Sequence, residues 1–393
     1  MHLVDAGLLG KIDLSPVPGA AQFPDPLTRC RTDVLCHAFM IGLAFALYLA
    51  HTLSDARKVA KMPLRRKNSL KLFALLILSM AATAPAQNKG IDPTLLAKAN
   101  AGDSDAEFRI ATSYAKLGKL KESHHWHLLA AQRGHIQSMT IVAADFEFGR
   151  GIERDDGQAF SWYRKAADAG NFVAIANMGD LYYRGVGVHQ DFAQAAIWYS
   201  KAAEQGDPFS QFYLGQLYQY GHGVPQDQSQ AALWIRKAAE QGVSDAQFAL
   251  GNFYREGQGV PQDYAQAALW WRKAAEQGEI FAQADLGLAY ERGRGVPQDY
   301  TQAAVWYRKA AEQGVPEAQS NLGLLYEMGE GVPQSYDDAY FWLDLAVARE
   351  TQEEQETDLG SRDDAAKKLT PEELIKVQER ARKWFEDHPT KSH

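Results

Sequence analysis

Seven tryptophans, Trp126, Trp162, Trp198, Trp234, Trp270, Trp306 and Trp342, stand 36 residues apart along the chain. Gly134, Gly170, Gly206, Gly242, Gly278 and Gly314 keep the same interval, as do Tyr182, Tyr218, Tyr254, Tyr290 and Tyr326. A fixed period of this length describes a stack of supersecondary units, each in contact only with its neighbours, and not a set of compact domains.

One unit, Val243 to Gly278, shows what is being stacked. Ala246, Leu250, Gly251 and Tyr254 recur at helical spacing, and Ala267, Trp270, Trp271, Ala274 and Ala275 mark a second helix. Between them the chain must reverse through Glu256-Gly-Gln-Gly-Val-Pro-Gln-Asp263. Gly257 and Gly259 suit a helix exit at positive φ, Pro261 blocks continuation, and Asp263 is placed to cap the second helix. Gly251 and the alanine pairs let helices approach closely, with Tyr254 and Trp270 filling the remaining space. Burying one such aromatic contributes roughly 2–3 kcal/mol, too little for a single unit to outweigh its chain entropy, so stability must come from stacking.

The pattern A-x-x-x-L-G-x-x-Y-x-x-G-x-G-V-x-x-D followed by A-x-x-W-Y-x-K-A-A-x-x-G resembles the Sel-one-like repeat, a relative of the tetratricopeptide repeat. Five units match it closely, ending at Gly170, Gly206, Gly242, Gly278 and Gly314, and recognisable repeats cover residues 103–350. The resemblance implies an all-α, right-handed superhelical solenoid of antiparallel helix pairs. The ends depart from it. Gly102 to Gly134 spans a shorter unit with Lys116-Leu-Gly-Lys119 in place of the glycine-rich loop, the next has Ala143 and Phe146 where others carry Gly and Tyr, and Glu350 replaces the closing glycine. A charged linker is expected over Glu350–Lys368, and Thr370, Pro371 and Glu373 open a capping helix that runs to Trp384.

The first 86 residues are a different kind of polypeptide. They hold both cysteines, Cys30 and Cys36, none of the nine tryptophans, and ten basic against five acidic residues. Beyond them 31 basic and 44 acidic residues remain, of a total formal charge of −8, a balance that argues against nucleic acid as partner. Residues 62–86 read as an export signal: Arg65-Arg66-Lys67, an apolar run from Leu72 to Met80, then Ala84-Pro85-Ala86. Residues 1–61 read as an over-extended N-terminus, or as a membrane segment through the uncharged stretch 34–54. Cleavage near Ala86 places the remainder in the periplasm or outside the cell, with membrane contact only through the apolar segments if they are retained. Residues 87–102 form a leader and first helix.

Enzymatic signatures are scarce, and no cofactor is expected. Ser113-Tyr-Ala-Lys116 has the S-x-x-K form of β-lactamases without a KTG or SDN partner. It keeps open a secreted β-lactamase-like or cell-wall-active hydrolase, an activity described for cysteine-rich relatives of the repeat family. His124 and His127 have the spacing of a helix-borne metal pair, but both stand at packing positions of the repeat. The favoured reading is a non-enzymatic scaffold that binds a protein or peptide of the cell envelope. The geometry of tetratricopeptide arrays, carried over by resemblance, puts Tyr183, Arg184, Phe209, Phe212, Gln216, Tyr220, Phe248, Asn252, Arg255 and Arg292 on the concave face. These positions vary from unit to unit while the framework stays constant, and several are aromatic or Arg, the types enriched at interface hot spots.

Overall fold

The computed structural model describes residues 91–349 and 352–388. The expectations placed on residues 1–90 lie outside the described residues. Within them the chain forms 17 helices and no strand. A short helix α1 (Pro93–Asn100) precedes seven hairpins. Their first helices are α2 (Ser104–Lys116), α4 (Ile136–Phe148), α6 (Phe172–Arg184), α8 (Pro208–Tyr220), α10 (Ser244–Glu256), α12 (Ile280–Arg292) and α14 (Pro316–Met328). The second helices are α3 (Leu120–Gln132), α5 (Asp156–Asp168), α7 (Phe192–Glu204), α9 (Gln228–Glu240), α11 (Tyr264–Glu276), α13 (Tyr300–Ala311) and α15 (Tyr336–Val347). From α2 to α15 each helix packs mainly on those before and after it in sequence, which makes the array an all-α solenoid.

The punctuation follows from local chemistry. The Asp263 carboxylate accepts from the Ala265 and Gln266 amides at 2.9 and 3.0 Å, and Asp155, Asp191, Asp227 and Asp299 cap their helices in the same manner. The two loop glycines have separate duties. Gly257 ends α10 in the left-handed region at φ 70°. Gly259, also at positive φ, lies so close to the preceding unit that a Cβ would fall 1.9 Å from the Gln228 carbonyl oxygen at the start of α9. The second glycine is therefore a contact between units.

Inside the hairpins the helical glycine is a seat for the opposite side chain. A Cβ on Gly251 would stand 2.4 Å from the Trp271 ring, so it is Trp271 rather than Trp270 that fills this space. Gly179 faces Tyr199 and Gly287 faces Tyr307 in the same way. On the outer flank, Lys237, Lys273 and Lys309 each lie 3.8 Å above the tryptophan of their own helix, Trp234, Trp270 and Trp306.

Units are joined by two polar ladders. Arg236 donates to the Tyr254 hydroxyl at 2.9 Å, Arg272 to that of Tyr290 at 2.5 Å, and Arg308 repeats the bond to Tyr326. Deeper in, buried glutamines of the first helices reach back to the end of the preceding second helix: Gln211 to the Ala203 carbonyl (3.0 Å), Gln247 to Ala239 (3.1 Å) and Gln283 to Ala275 (3.2 Å). In three hairpins the glutamine just after the second helix completes the rung, Gln241 donating to Gln211, Gln277 to Gln247 and Gln313 to Gln283. Each rung satisfies a buried amide across a unit boundary at a contribution of about 1 kcal/mol.

The C-terminal segment differs from its sequence expectation. Gln352–Ala366, expected as a linker, forms helix α16, rests on α15, buries Ala365 and pairs Arg362 with Asp344 at 3.3 Å. Its Glu, Gln and Ala residues favour helix, and the open end of the stack supplies the surface it covers. Helix α17 (Pro371–Asp387) begins with the expected capping box between Thr370 and Glu373 and also lies on α15, where Val377 and Ala381 are buried.

Candidate partner-binding face

Successive first helices meet through their side chains and so present one continuous face. Arg184 of α6 bonds Glu147 of α4 at 2.9 Å and Asp180 of its own helix at 2.6 Å. The Tyr183 and Tyr213 rings stand 5.9 Å apart between α6 and α8. Phe248 of α10 and Phe281 of α12 stack at 6.3 Å, and Arg255 reaches Asp285 at 3.4 Å and Glu256 at 2.8 Å. Between α12 and α14 a cavity of about 550 Å³ is lined by Arg292, Tyr300, Asn321, Leu324 and Met328, among others.

The residues singled out from the sequence divide into three groups. Tyr220 is 59% exposed and Arg292 is exposed on the cavity wall, while Tyr183, Arg184, Gln216, Phe248 and Arg255 are half-buried along the face. Asn252 is half-buried and its oxygen accepts from the Trp271 indole at 3.1 Å, which makes it a brace between helices. Phe209 is half-buried against the core, and Phe212, only 7% exposed, lies within it beside Ile235 and Leu250. Phe212 is thus a packing residue: its position on α8 turns the ring toward α9 and α10. Met328, 56% exposed, is a large apolar side chain on this face that the sequence reading passed over.

Three of the second helices send a tyrosine toward the first helices. The Tyr163 hydroxyl donates to Glu147 at 3.2 Å and the Tyr307 hydroxyl to Glu291 at 2.6 Å. Tyr199 is 2% exposed, its ring stacks on Tyr213 at 5.4 Å, and its hydroxyl has no hydrogen-bond partner among the described residues. Burial raises all three tyrosines well above the ordinary phenol range. The register gave no warning of this, because the same slot holds Ile235 and Trp271 in the next two units.

Charge is unevenly spread along the face. Helix α8 carries no Lys, Arg, Asp or Glu, whereas α10, α12 and α14 carry six carboxylates against Arg255 and Arg292. The Asp285 carboxyl is pushed up to about 6 by burial; Arg255 opposes the shift, while Glu256 and Glu317 add to it. Glu279 is raised by burial, with Asp245 and Asp285 contributing, and Glu327 by burial and then Asp364. The field over α10–α14 is negative.

The two chemical candidates of the first hairpin are built into structure. The Ser113 hydroxyl donates to the Arg109 carbonyl one turn back at 2.9 Å, while Lys116 is exposed at the end of the same helix. Both His124 and His127 are buried. The His124 Nδ1 faces the Asp145 carboxylate at 3.1 Å, a partner the sequence did not reveal, and the His127 Nδ1 lies 3.3 Å from the Ser138 hydroxyl. Burial first, then His135 and His124, lowers His127 to about 3, so the ring is neutral at pH 7. No group of three potential metal ligands occurs among the described residues.

The Sel1 repeat model matches seven successive segments, 105–135, 137–171, 173–207, 208–243, 244–279, 280–315 and 316–349. The chain belongs to the Sel1 repeat family. Among solved structures it is similar to a Sel1 repeat protein from Oxalobacter formigenes, with 35% identity, a TM-score of 0.54, and coverage of 62% of this chain and all of that one. A protective antigen of uropathogenic Escherichia coli with the same repeat fold is 24% identical over 76% of this chain and 95% of its own, at a TM-score of 0.39. Cysteine-rich protein B of Helicobacter pylori is 26% identical over 33% of this chain and 92% of its own, at 0.27. No curated protein matches the chain. Sel1 repeat proteins generally bind proteins, and the solenoid fold of this chain suggests a protein-interaction scaffold.

Proposed function

We propose that the protein is an exported, non-enzymatic adaptor that binds a protein or peptide segment of the cell envelope along its first-helix face. One observation carries the reading. The framework of Gly, Trp and Gln positions repeats across the regular units, whereas the first-helix face changes at every step and exposes Tyr220, Phe281 and Met328. Exposed aromatics and Met set among charges are the side chains that anchor partners, and a rigid solenoid holds them at fixed intervals without an ordering cost on binding. Export rests on the Arg65–Ala86 pattern.

The test is cross-linked affinity capture from the native envelope with the wild type beside a Tyr220→Ala/Phe281→Ala/Arg292→Ala variant. The two must first match in helical circular dichroism and melting temperature. Loss of a partner in the variant supports the face as the binding surface. Equal capture by both overturns it and points to the second helices, where Ile197, Leu233, Leu269 and Val305 form an exposed stripe at the repeat interval. Export itself is tested by N-terminal sequencing of the mature protein; a chain that begins before residue 62 in the cytoplasmic fraction overturns it.

A further inference from the structure

The first-helix face divides into two chemically opposed sections. Over α8 it is uncharged and rich in rings and amides. Tyr183, Tyr213 and Tyr220 line it, and Phe192 stacks on His222 at 5.1 Å beside Tyr220. Two polar groups there are unsatisfied among the described residues: the hydroxyl of Tyr199, buried beneath Tyr213, and Oε1 of Gln216. One lacks an acceptor and the other lacks a donor. An amide supplies both, and neither demands a charge.

From α10 to α14 the surface offers the opposite. Phe281 and Phe248 make an apolar shelf; Asp285 stands one turn along α12 from Phe281, and Glu256 and Glu317 are near enough to raise it against the opposing charge of Arg255. Arg255 is already shared between Asp285 and Glu256. A Lys or Arg whose stem lies on the phenylalanine shelf would bring its charge to carboxylates that the chain itself leaves under-compensated.

Resting on the scaffold reading above, we propose that this face selects a partner segment in one direction: an uncharged amide or aromatic side chain seats over α8, and a Lys or Arg seats over α12. Packed first helices lie ~8–10 Å apart, so two units span ~20 Å. An extended segment crosses that distance in ~6 residues at ~3.3 Å each.

A random peptide library displayed on phage and selected on the full protein tests this. The enriched peptides should carry a Lys or Arg about six residues from an aromatic or amide residue, in the same order in every clone. Affinity of one such peptide should fall about tenfold on the Asp285→Asn/Glu317→Gln variant. It should fall similarly on Tyr220→Ser, and only the wild type's advantage over the charge variant should vanish at high salt. Glu317→Gln alone serves as a second charge variant that leaves the Arg255 pair intact. Peptides lost on Tyr220→Ser but lacking a basic residue, or binding both charge variants like the wild type, overturn the proposal and leave the scaffold reading standing. Clones in both orders overturn the fixed direction. Failure to enrich any peptide that responds to Tyr220→Ser overturns the peptide-groove reading and this proposal with it.

Discussion

The first hairpin and the regular units solve the same stacking problem with different chemistry. In the three units from α8 to α13 the rung is neutral, a glutamine that follows the second helix donating to a buried glutamine that itself holds a carbonyl of the unit before. In the first hairpin the same two slots hold Arg133 and Glu107, paired at 3.0 Å, with Glu107 1% exposed and its second oxygen without a partner among the described residues. At the far end Arg349 takes the place of the glutamine. It turns instead to the carbonyl of His388 at 3.1 Å and to the Trp384 ring, and Oε1 of the buried Gln319 has no partner among the described residues. The neutral rung is thus confined to the three hairpins from α8 to α13. At the C-terminal end its slot is given to a side chain that reaches the capping helix.

The largest contrast between the regions should appear at the helical glycine. Gly251→Ala forces a methyl into the Trp271 ring and is expected to cost about 3 kcal/mol in urea unfolding. Ala111, buried in the corresponding place of the first hairpin, already has room, and Ala111→Gly should cost only about 1 kcal/mol. Equal losses would mean that both hairpins have the same close approach.

The rungs themselves come next. Arg133→Ala leaves the Glu107 carboxylate buried and unpaired and should lose about 3 kcal/mol. Converting both Glu107 and Arg133 to Gln should be close to neutral, because it installs the rung of the regular units. A large loss in that double variant would show that the ion pair, and not the geometry, is what the first hairpin requires.

Acid should act on the two regions with opposite sign. Neutral, buried His127 takes up a proton only on unfolding, so the unfolded state binds more protons below pH 6.5 and stability falls as pH drops from there toward about 3. Asp285 is the reverse. Between 3.8 and about 6 the native state holds a proton that the unfolded state lacks, so its contribution grows as pH falls through that window. Each slope approaches roughly 1.4 kcal/mol per pH unit at most. Urea melts from pH 7 to 4 should show His127→Phe less sensitive to acid than the wild type and Asp285→Asn more sensitive. The reverse order would break the assignment of both groups.

The smallest effect is expected from Gln247→Leu, which removes the donor to Ala239 and leaves Gln277 without its acceptor, about 1–2 kcal/mol. A loss as large as that of Gly251→Ala would give the ladder a greater share of the stacking than its hydrogen bonds account for.

The sequence by itself determined the period, the two helices per unit, the Asp263-type caps and the seven-unit array, because each depends on spacing and on local conformational preference. It also separated the varying positions of the first helices from their constant framework. What it did not determine depends on contacts across units. That Gly259 meets the Gln228 carbonyl, that Trp271 rather than Trp270 fills the space at Gly251, and that Phe212 points into the core are matters of how one hairpin sits on the next. The same holds for the Asp145 partner of His124 and for the α16 helix, whose polar sequence reads as a linker until the exposed end of α15 is there to receive it. Spacing along a chain reports what a residue's own backbone prefers; which side chain is left without a partner is decided only when the units are stacked.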